Sequence, residues 1–458
     1  MSTSQLAPPN RRGKGASRGR FAYGLTSRAL VLFLLGLVWL VPAFFLRQFA
    51  WALVAWDALV LSLAVADGLR LPAPSAIEAE RIWSSAPAIS NSTEVLLSIR
   101  QPGPGTLFFT ALDDLPPAFL DEPPPVFLKA FPGVAATARY SFIPRSRGDA
   151  QAGQLFLRYR SAAGLAERWA VADLSQTVRI YPALRSPEAH SLFLMRLRQI
   201  EMQLRKRRQR GLGREFESLR DYREGDDLRD ICWTATARRG APVSKQYEIE
   251  KNQPVWIVLD SGRLLQERVA GYTKLDYAAS ASVALAQLAL QSGDRAGLLA
   301  YGREIQQRIL PGRGGPQLRR FVDALALVRG EAAEADHLRA TVAFDRMQPR
   351  RSLVLWLTDL SEAALRPEVI EGAAQLMRRH LVLFVTIRQA DLGRLAHARP
   401  RDAGEMFATA AATELLARRE ALLAQLRERG GLTLETEPQG LATQLLNRYL
   451  EVKERALV

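Results

Sequence analysis

Two carboxylates stand at the ends of apolar runs in the second half of the chain. Asp260 ends the run VWIVLD, and Asp359 ends the run SLVLWLTD. Such runs are typical of buried parallel strands, and ligands bind beyond the carboxyl ends of these strands. Carboxylate oxygens are also the ligands that Mg²⁺ prefers. Asp260 and Asp359 are therefore candidates for a metal site, although Asp260 could instead cap its strand and pair with a nearby arginine such as Arg263.

A second group of candidates lies between Gly211 and Gln246, where acidic and basic residues alternate. The pattern indicates a segment that packs across a domain surface through salt bridges, with Phe216, Tyr222 and Trp233 as aromatic anchors. The carboxylates between Glu215 and Asp230 could alternatively contribute to a metal-dependent hydrolytic site with Asp260 and Asp359.

Other catalytic patterns are missing from the sequence. It contains no G-x-x-x-x-G-K-[ST], no G-x-S-x-G and no H-E-x-x-H, and its four histidines have no zinc-binding spacing. Its single cysteine, Cys232, cannot form an intramolecular disulfide. We assign no catalytic residue, and we expect the chain not to be an enzyme.

The elements that would position Asp260 and Asp359 alternate between strand and helix from residue 254 to residue 458. VWIVLD precedes a helix of roughly Lys274 to Gln291, then come the strand RAGLLAY and its hairpin partner QQRIL, a helix beginning near Gln317, and SLVLWLTD. Three further helices and the strands LVLFVTI and LTLETE complete the series. This alternation predicts a doubly wound parallel sheet with helices on both faces.

Short β-type segments separated by Pro, Gly and Asp precede this region, in residues 93–184. They predict a small antiparallel β-sandwich, which we interpret as a spacer or docking domain. Residues 68–92 are rich in Pro and Ala and are predicted to be a linker. A helix is predicted from Pro187 to Arg210, within the segment 187–253 that carries the alternating charges.

Two apolar runs, Ala29–Leu46 and Phe49–Ala66, are each about 18 residues long, which is just enough to cross a bilayer as a helix. They predict a transmembrane hairpin over residues 29–67. Cations are concentrated in residues 1–28, a predicted basic, disordered tail, whereas the connecting turn holds only Arg47. The positive-inside rule therefore places both termini in the cytosol, on a two-pass protein of the cytoplasmic membrane.

The formal net charge of +15 suggests an anionic partner, although cytosolic faces of membrane proteins are commonly basic. The cluster Arg205–Arg210 could bind phosphates of an anionic lipid or a nucleic acid. The favoured interpretation is that it is the solvated end of a helix. Nucleic acid is the less favoured partner, because no basic run is interleaved with aromatic residues.

The segment from Gly211 onwards resembles the signature of the bacterial and archaeal family called domain of unknown function 58, whose members resemble von Willebrand factor A domains. The family pattern is G-x-G-x-E-F-x-x-x-R-x-Y-x-x-G-D-D-x-R-x-I-D-W-x-x-x-A-R. One position departs, because Cys232 replaces the family aspartate before the tryptophan. The matching residues are Gly211, Gly213, Glu215, Phe216, Arg220, Tyr222, Gly225, Asp226, Asp227, Arg229, Ile231, Trp233, Ala237 and Arg238.

The resemblance implies a membrane-anchored adaptor with chaperone-like activity that binds a MoxR-type AAA+ ATPase and a client protein. It assigns the signature residues to structure or to partner binding. It also implies a degenerate metal site, since a von Willebrand A domain binds Mg²⁺ through D-x-S-x-S and a later Thr. Here Gly262 and Leu264 replace both serines, and no later threonine is identified, so Asp260 and Asp359 would hold Mg²⁺ only weakly.

Overall fold

The computed structural model describes residues 7–16, 23–46, 49–183, 215–222, 228, 231–248, 252–359 and 367–455. Within these residues the chain forms two compact units, and the division falls after Tyr181. The helix predicted between Pro187 and Arg210, including the cluster Arg205–Arg210, lies outside the described residues.

The N-terminal unit contains two apolar helical segments. The first consists of α1 (Ser27–Gly36), a short 3₁₀ turn and α2 (Leu40–Phe45), and the second is α3 (Phe49–Arg70). Both are long and apolar enough to cross a membrane, and their apolar side chains are mostly exposed. The Trp56 indole on α3 donates a hydrogen bond to the Leu32 carbonyl on α1 at 2.8 Å, which ties the two helices together.

The rest of the N-terminal unit is antiparallel sheet. Its strands are β1 (Arg11–Ala16), β2 (Tyr23–Leu25), β3 (Glu78–Trp83), β4 (Thr93–Arg100), β5 (Leu107–Asp113), β6 (Val126–Ala130), β7 (Ala136–Phe142), β8 (Gly148–Ala152), β9 (Leu155–Ser161), β10 (Ala166–Ala172) and β11 (Gln176–Ile180). The larger sheet has the strand order β6-β5-β9-β10-β1-β3-β4-β7, with β2 also paired to β10, and β8 and β11 form a separate pair.

The prediction of a disordered tail over residues 1–28 is wrong for Arg11–Ala16, because β1 lies in the middle of this sheet between β10 and β3. Glycine makes this placement sterically feasible. A Cβ atom at Gly13 would lie 2.5 Å from the Asp173 carbonyl oxygen, and one at Gly15 would lie 2.3 Å from that of Pro74. The segment RRGKGA lacks the β-branched and aromatic residues that mark a strand in sequence.

The linker predicted over residues 68–92 is also wrong in part, because α3 continues to Arg70 and β3 occupies Glu78–Trp83. Buried and less buried residues alternate along β3, but the sequence does not show this alternation, because one of the buried positions holds a charged residue, Arg81. Its guanidinium binds the Asp113 carboxylate and the carbonyls of Leu174 and Gly153. A buried charge with this many partners is compatible with a core position, whereas the sequence alone indicates a polar segment.

The C-terminal unit is built on a six-stranded sheet with the order β18-β17-β14-β19-β20-β21, in which all neighbours are parallel except β17 and β18. Two smaller pairs, β12–β13 and β15–β16, lie outside it. The strands are β12 (Glu215–Asp221), β13 (Val243–Glu248), β14 (Pro254–Asp260), β15 (Arg268–Val269), β16 (Tyr272–Thr273), β17 (Arg295–Tyr301), β18 (Ile305–Gly312), β19 (Leu353–Leu357), β20 (Leu381–Ile387) and β21 (Leu432–Thr436).

The helices of this unit are α4 (Trp233–Arg239), α5 (Lys274–Gln291), α6 (Gly314–Leu327), α7 (His337–Met347), α8 (Pro367–Met377), α9 (Ala390–His397), α10 (Ala403–Glu428) and α11 (Leu441–Glu454). They pack in two groups. α5 contacts α6 and α11, whereas α7 contacts α8, and α10 contacts α9 and α8. One core joins α7, α8 and α10 to the strands through buried side chains that include Trp256, Trp356 and Phe384.

Candidate functional site

Asp260 and Asp359 lie at the carboxyl edge of the parallel sheet. β14 and β19 are neighbours with Leu259 opposite Leu357, so each carboxylate follows its strand at the same edge. Both residues are buried, with 3% of Asp260 and 2% of Asp359 exposed. Buried carboxylates need partners, and in this structure the partners are residues of the same unit.

Lys274 is the partner of Asp359. Its Nζ lies 2.6 Å from Asp359 Oδ2 and 2.7 Å from Glu267 Oε2, and the side chain is almost completely buried. An unpaired buried ammonium would cost several kcal/mol. The two carboxylates compensate this charge, so the edge of the sheet contains a cation that the chain itself supplies.

The start of α5 fixes the position of Lys274. Thr273 is the N-cap, and its side chain and that of Asp276 form a reciprocal capping box. The Lys274 amide also donates to the Glu267 carbonyl at 2.9 Å. A cation in the first turn opposes the helix dipole. A lysine at this position therefore needs a nearby carboxylate, and that is the signal by which the sequence could have identified Lys274.

Asp260 is held by two hydrogen bonds. Its Oδ1 accepts from the Gly262 amide and its Oδ2 from the Thr358 hydroxyl, both at 2.7 Å. Burial raises the pKa of Asp260 above its ordinary value, and the charge of His337 opposes this rise. The expected cap by Asp260 is present at the Gly262 amide, whereas the guanidinium of Arg263 lies 3.9 Å from the Glu334 carboxylate.

A chain of aromatic side chains lies beside Asp260. The Trp356 indole donates to the Tyr301 hydroxyl at 2.7 Å, and that hydroxyl lies 2.8 Å from His337 Nδ1. The Tyr301 hydroxyl therefore has two partners, the Trp356 indole, from which it accepts, and the His337 imidazole. Burial raises the pKa of Tyr301 well above its ordinary value. His337 is the first residue of α7, a helix that the sequence analysis missed.

A cavity of about 820 Å³ opens next to His337 at the same edge of the sheet. Its wall comes from the turn between β17 and β18 and from the loop that leads into α7. Gln306 ties these segments together, because its amide donates to Ser261 Oγ at 3.0 Å and to Glu331 Oε1 at 2.8 Å. The charged residues of the wall are Arg303, Glu304, Glu331, Glu334, Asp336, His337 and Arg339.

These side chains do not fit a Mg²⁺ ion. Lys274 already occupies Asp359 Oδ2, and Asp260 accepts hydrogen bonds at both oxygens. Ser261 faces inward, where its hydroxyl donates to the Tyr301 carbonyl at 2.9 Å. Within the described residues, no group of three or more His, Cys, Asp or Glu side chains is arranged to hold a metal. A divalent cation would also be repelled by the buried ammonium.

Thr358, which immediately precedes Asp359 and donates its hydroxyl to Asp260, was not among the residues singled out in the sequence. Lys274 and His337 were also missed, because they reach the site through contacts with Asp359 and Tyr301, which are distant in sequence, and Glu267 was missed because it joins the site only through Lys274.

The signature residues are only partly described. Glu215 and Phe216 lie on β12, and Arg220 follows on the same strand; β12 pairs with β13. Gly225, Asp226, Asp227 and Arg229 lie outside the described residues. Tyr222, at the end of β12, donates its amide to the Pro242 carbonyl at 2.9 Å.

Trp233 begins α4, and Arg238 lies exposed in the last turn of this helix. Trp233, one of the expected aromatic anchors, is 69% exposed. Cys232 precedes it, and a hydrogen bond with Thr234 lowers the pKa of the Cys232 thiol. This thiol occupies the position of the family aspartate.

The family model described as "Protein of unknown function DUF58" matches residues 218–420. The uncharacterized protein Rv1480 of Mycobacterium tuberculosis is 30% identical over 177 residues, which cover 35% of this chain and 54% of the relative. The uncharacterized protein Mb1516 of Mycobacterium bovis matches to the same extent. The chain thus spans about half the length of these curated relatives.

Two solved structures are similar to this chain. BatB from Bacteroides thetaiotaomicron has a TM-score of 0.30 and 12% identity, covering 44% of this chain and 100% of its own. A von Willebrand factor type A protein from Catenulispora acidiphila has a TM-score of 0.28 and 13% identity, covering 45% and 43%. These TM-scores are too low to support an argument about the fold, which rests instead on the strand order of the C-terminal unit.

Proposed function

We propose that this chain, whose residues 218–420 belong to the DUF58 family, is a membrane-anchored adaptor that binds protein partners without a metal ion. The observation that carries the proposal is the buried Lys274 ammonium between Asp359 and Glu267. It supplies a positive charge at the sheet edge where a von Willebrand A domain would hold Mg²⁺. Because the Lys274 ammonium is part of the chain, this edge of the sheet would be able to bind a partner without first binding a metal ion.

The strand order supports a doubly wound, von Willebrand A-like assignment for the C-terminal unit. The order reverses at β14, which has β17 on one side and β19 on the other. In such sheets the binding crevice lies beyond the carboxyl ends of the strands at the point of reversal. Asp260 ends β14, and the cavity opens at the same edge between the β17–β18 turn and the loop into α7, so this edge is the proposed partner-binding surface.

The antiparallel unit is proposed to be a β-sandwich-like domain that holds the membrane anchor. Residues before the first apolar helix and after the second pair directly, since β1 and β3 are neighbours. This pairing supports a hairpin whose two ends lie on one side of the membrane. The cations before Ser27 support a cytosolic location for that side by the positive-inside rule.

The proposed partner is an AAA+ ATPase of the MoxR type, together with a client protein. This part rests on the family resemblance. Four carboxylates in the cavity wall (Glu304, Glu331, Glu334 and Asp336) make a basic side chain of the partner a suitable contact. Arg339 offsets some of this charge, because it lies near Asp336 and Glu304.

Affinity purification of the tagged full-length chain from its own membranes, with and without ATP, tests this proposal. We expect an AAA+ ATPase to be recovered in a nucleotide-sensitive manner. Glu304→Arg should reduce the recovery several-fold, because it reverses a charge at the cavity. Glu428→Arg is the matched control, since α10 ends at Glu428 just before β21 and hence at the opposite edge of the sheet.

Equal recovery of the ATPase by both variants would reject this edge as the binding surface. Recovery of the chain alone under all conditions would reject the adaptor proposal. Metal independence has a separate test. Added Mg²⁺ should leave the unfolding midpoint of the purified chain unchanged, and a rise that saturates with the Mg²⁺ concentration would contradict it.

A further inference from the structure

Both apolar helices are fixed to one turn of the antiparallel unit. Near the end of α3, Asp67 accepts hydrogen bonds from the amides of Leu165 at 2.9 Å and Ala166 at 3.0 Å, and from the Ser161 hydroxyl. Thr26, the N-cap of α1, donates its amide to the Leu165 carbonyl at 3.1 Å. The turn between β9 and β10 therefore marks the end of the unit from which the helices project.

The strand register shows that a second turn, the one that follows β6, lies at the same end of the unit. Leu107 on β5 lies opposite Ser161 on one side and opposite Ala130 on the other. Phe131 follows Ala130 directly, two strand spacings or roughly 10 Å from β9. The Val134 amide then donates to the Phe131 carbonyl at 3.2 Å and closes a turn. This turn lies at the same end as the bonds to Asp67.

Apolar and cationic side chains are exposed at this end. Phe131 is 49% and Val134 is 58% exposed. The Lys129 ammonium lies 5.1 Å from the centre of the Phe131 ring. Three further exposed cations lie close to these two turns: Arg28 near the Ala163 carbonyl, Arg70 at the end of the second apolar helix, and Arg100 next to Gln101, whose carbonyl accepts from the Gly133 amide. Aromatic residues with cations beside them are typical of contact with an anionic membrane surface.

The depth of the turn matches the edge of the bilayer. The apolar run of the second helix ends at Ala66, one residue before Asp67. Ser161, Leu165 and Ala166, which donate hydrogen bonds to Asp67, thus lie at the boundary between the hydrocarbon core and the lipid headgroups. Phe131 comes one residue beyond the level of Ser161 in the sheet, so its exposed ring is placed to reach the interface rather than the cytosol.

We infer that the turn Phe131–Val134, with Lys129, binds the surface of the anionic phospholipid bilayer that holds α1 and α3. This contact would be a second attachment of the unit to the membrane and would restrain its tilt about the helix ends. The inference rests on the proposed membrane insertion of the two helices.

Fluorescence of a polarity-sensitive dye tests the contact. The dye is attached at Val134→Cys in the full-length chain carrying Cys232→Ser, which removes the native cysteine. The protein is reconstituted in phosphatidylcholine vesicles with phosphatidylglycerol, with or without a lipid spin-labelled at its headgroup. We expect a blue shift of the emission and quenching by the spin label, and Lys129→Gln should weaken both.

Ile143→Cys is the matched control, because this aliphatic residue is 52% exposed and follows the opposite end of β7. A dye there should show neither change. Equal signals at both positions, in vesicles with which both variants float, would overturn the inference and leave membrane insertion intact. A blue shift without quenching would assign the turn to a protein contact and would also overturn it. Failure of both variants to float would reject the insertion and the inference together.

Discussion

At the scale of single residues, the site depends on one buried ion pair. Lys274 and Asp359 are each almost completely buried, and the atoms that join them are 2.6 Å apart. Glu267 contributes the second carboxylate from a side chain that is 42% exposed. The charge on each buried partner is tolerated only while the other is present. Removing one partner should therefore have a larger effect than removing both.

Lys274→Met is expected to lower the free energy of unfolding by about 3–5 kcal/mol, since it leaves the Asp359 carboxylate buried without its cation. Denaturant unfolding of the full-length chain, followed by tryptophan fluorescence, measures this change. The double variant Lys274→Met/Asp359→Asn should recover most of the loss. A double variant as unstable as the single one would show that packing of the lysine stem, rather than the charge, is what matters.

Asp260 has a distinct dependence on pH. Burial raises its pKa in the folded state above the value of about 3.9 that it has in the unfolded chain. Between these two pKa values the folded state binds more protons than the unfolded state. The free energy of unfolding therefore falls as the pH rises through this window.

Asp260→Asn should remove this pH dependence. An amide can still accept from the Gly262 amide, and it can donate to the Thr358 hydroxyl. We expect the variant to gain stability relative to the unmodified chain as the pH rises above about 4. Unfolding curves of both proteins across this range measure the difference. A constant difference at all pH values would contradict the raised pKa of Asp260.

At the scale of elements, the helix ends and the strand turns are joined by side chains that accept several backbone hydrogen bonds. Asp67 is the main example, because its carboxylate receives two amides of the β9–β10 turn as well as the Ser161 hydroxyl. Hydrogen bonds to a charged acceptor are about twice as strong as neutral ones. The second apolar helix should therefore be rigidly joined to the sheet.

Asp67→Leu is expected to loosen this joint. The amides of Leu165 and Ala166 would lose their acceptor, at a cost of about 1–3 kcal/mol each for a buried donor. Hydrogen exchange at these two amides should become at least tenfold faster. Asp121→Leu is the control, since this exposed carboxylate pairs with Arg145 elsewhere in the unit. Unchanged exchange in Asp67→Leu would mean that other contacts fix the turn.

At the scale of the whole molecule, the two described units divide the proposed work between membrane attachment and partner binding. β1 belongs to the same sheet as β3, although β1 precedes the first apolar helix and β3 follows the second. If the apolar helices cross a membrane, a chain that leaves a sheet and returns to it must cross an even number of times. The pairing of β1 with β3 therefore argues for a hairpin.

Cysteine labelling in intact cells checks this topology. Phe45→Cys, placed near the connecting turn in the Cys232→Ser background, should react with an impermeant maleimide added outside. Native Cys232 should react only after the cells are permeabilised. A hydrogen bond with Thr234 lowers the pKa of the Cys232 thiol and so keeps it reactive once it is reached. Labelling of Cys232 from outside would reverse the proposed orientation.

The sequence by itself determined the features that depend on local pattern. Apolar runs of about 18 residues identified the two membrane-length helices, and the alternation of strands with helices identified the sheet that carries Asp260 and Asp359. The predicted helix Lys274–Gln291 agrees with the structure to the residue, because its capping box and helical spacing are both local signals. The signature pointed in the same way to the family whose model matches residues 218–420.

Only the tertiary structure decided which side chains meet. β1 carries no strand pattern, and its place depends on two glycines that fit against distant carbonyls. Arg81 looks like a surface residue until Asp113 is placed beside it. Lys274 and Asp359 are separated by 85 positions in the sequence, and their pairing places an ammonium beside a carboxylate that the sequence alone made a candidate metal ligand. Long-range contacts of this kind follow from sheet order, which residue patterns do not specify.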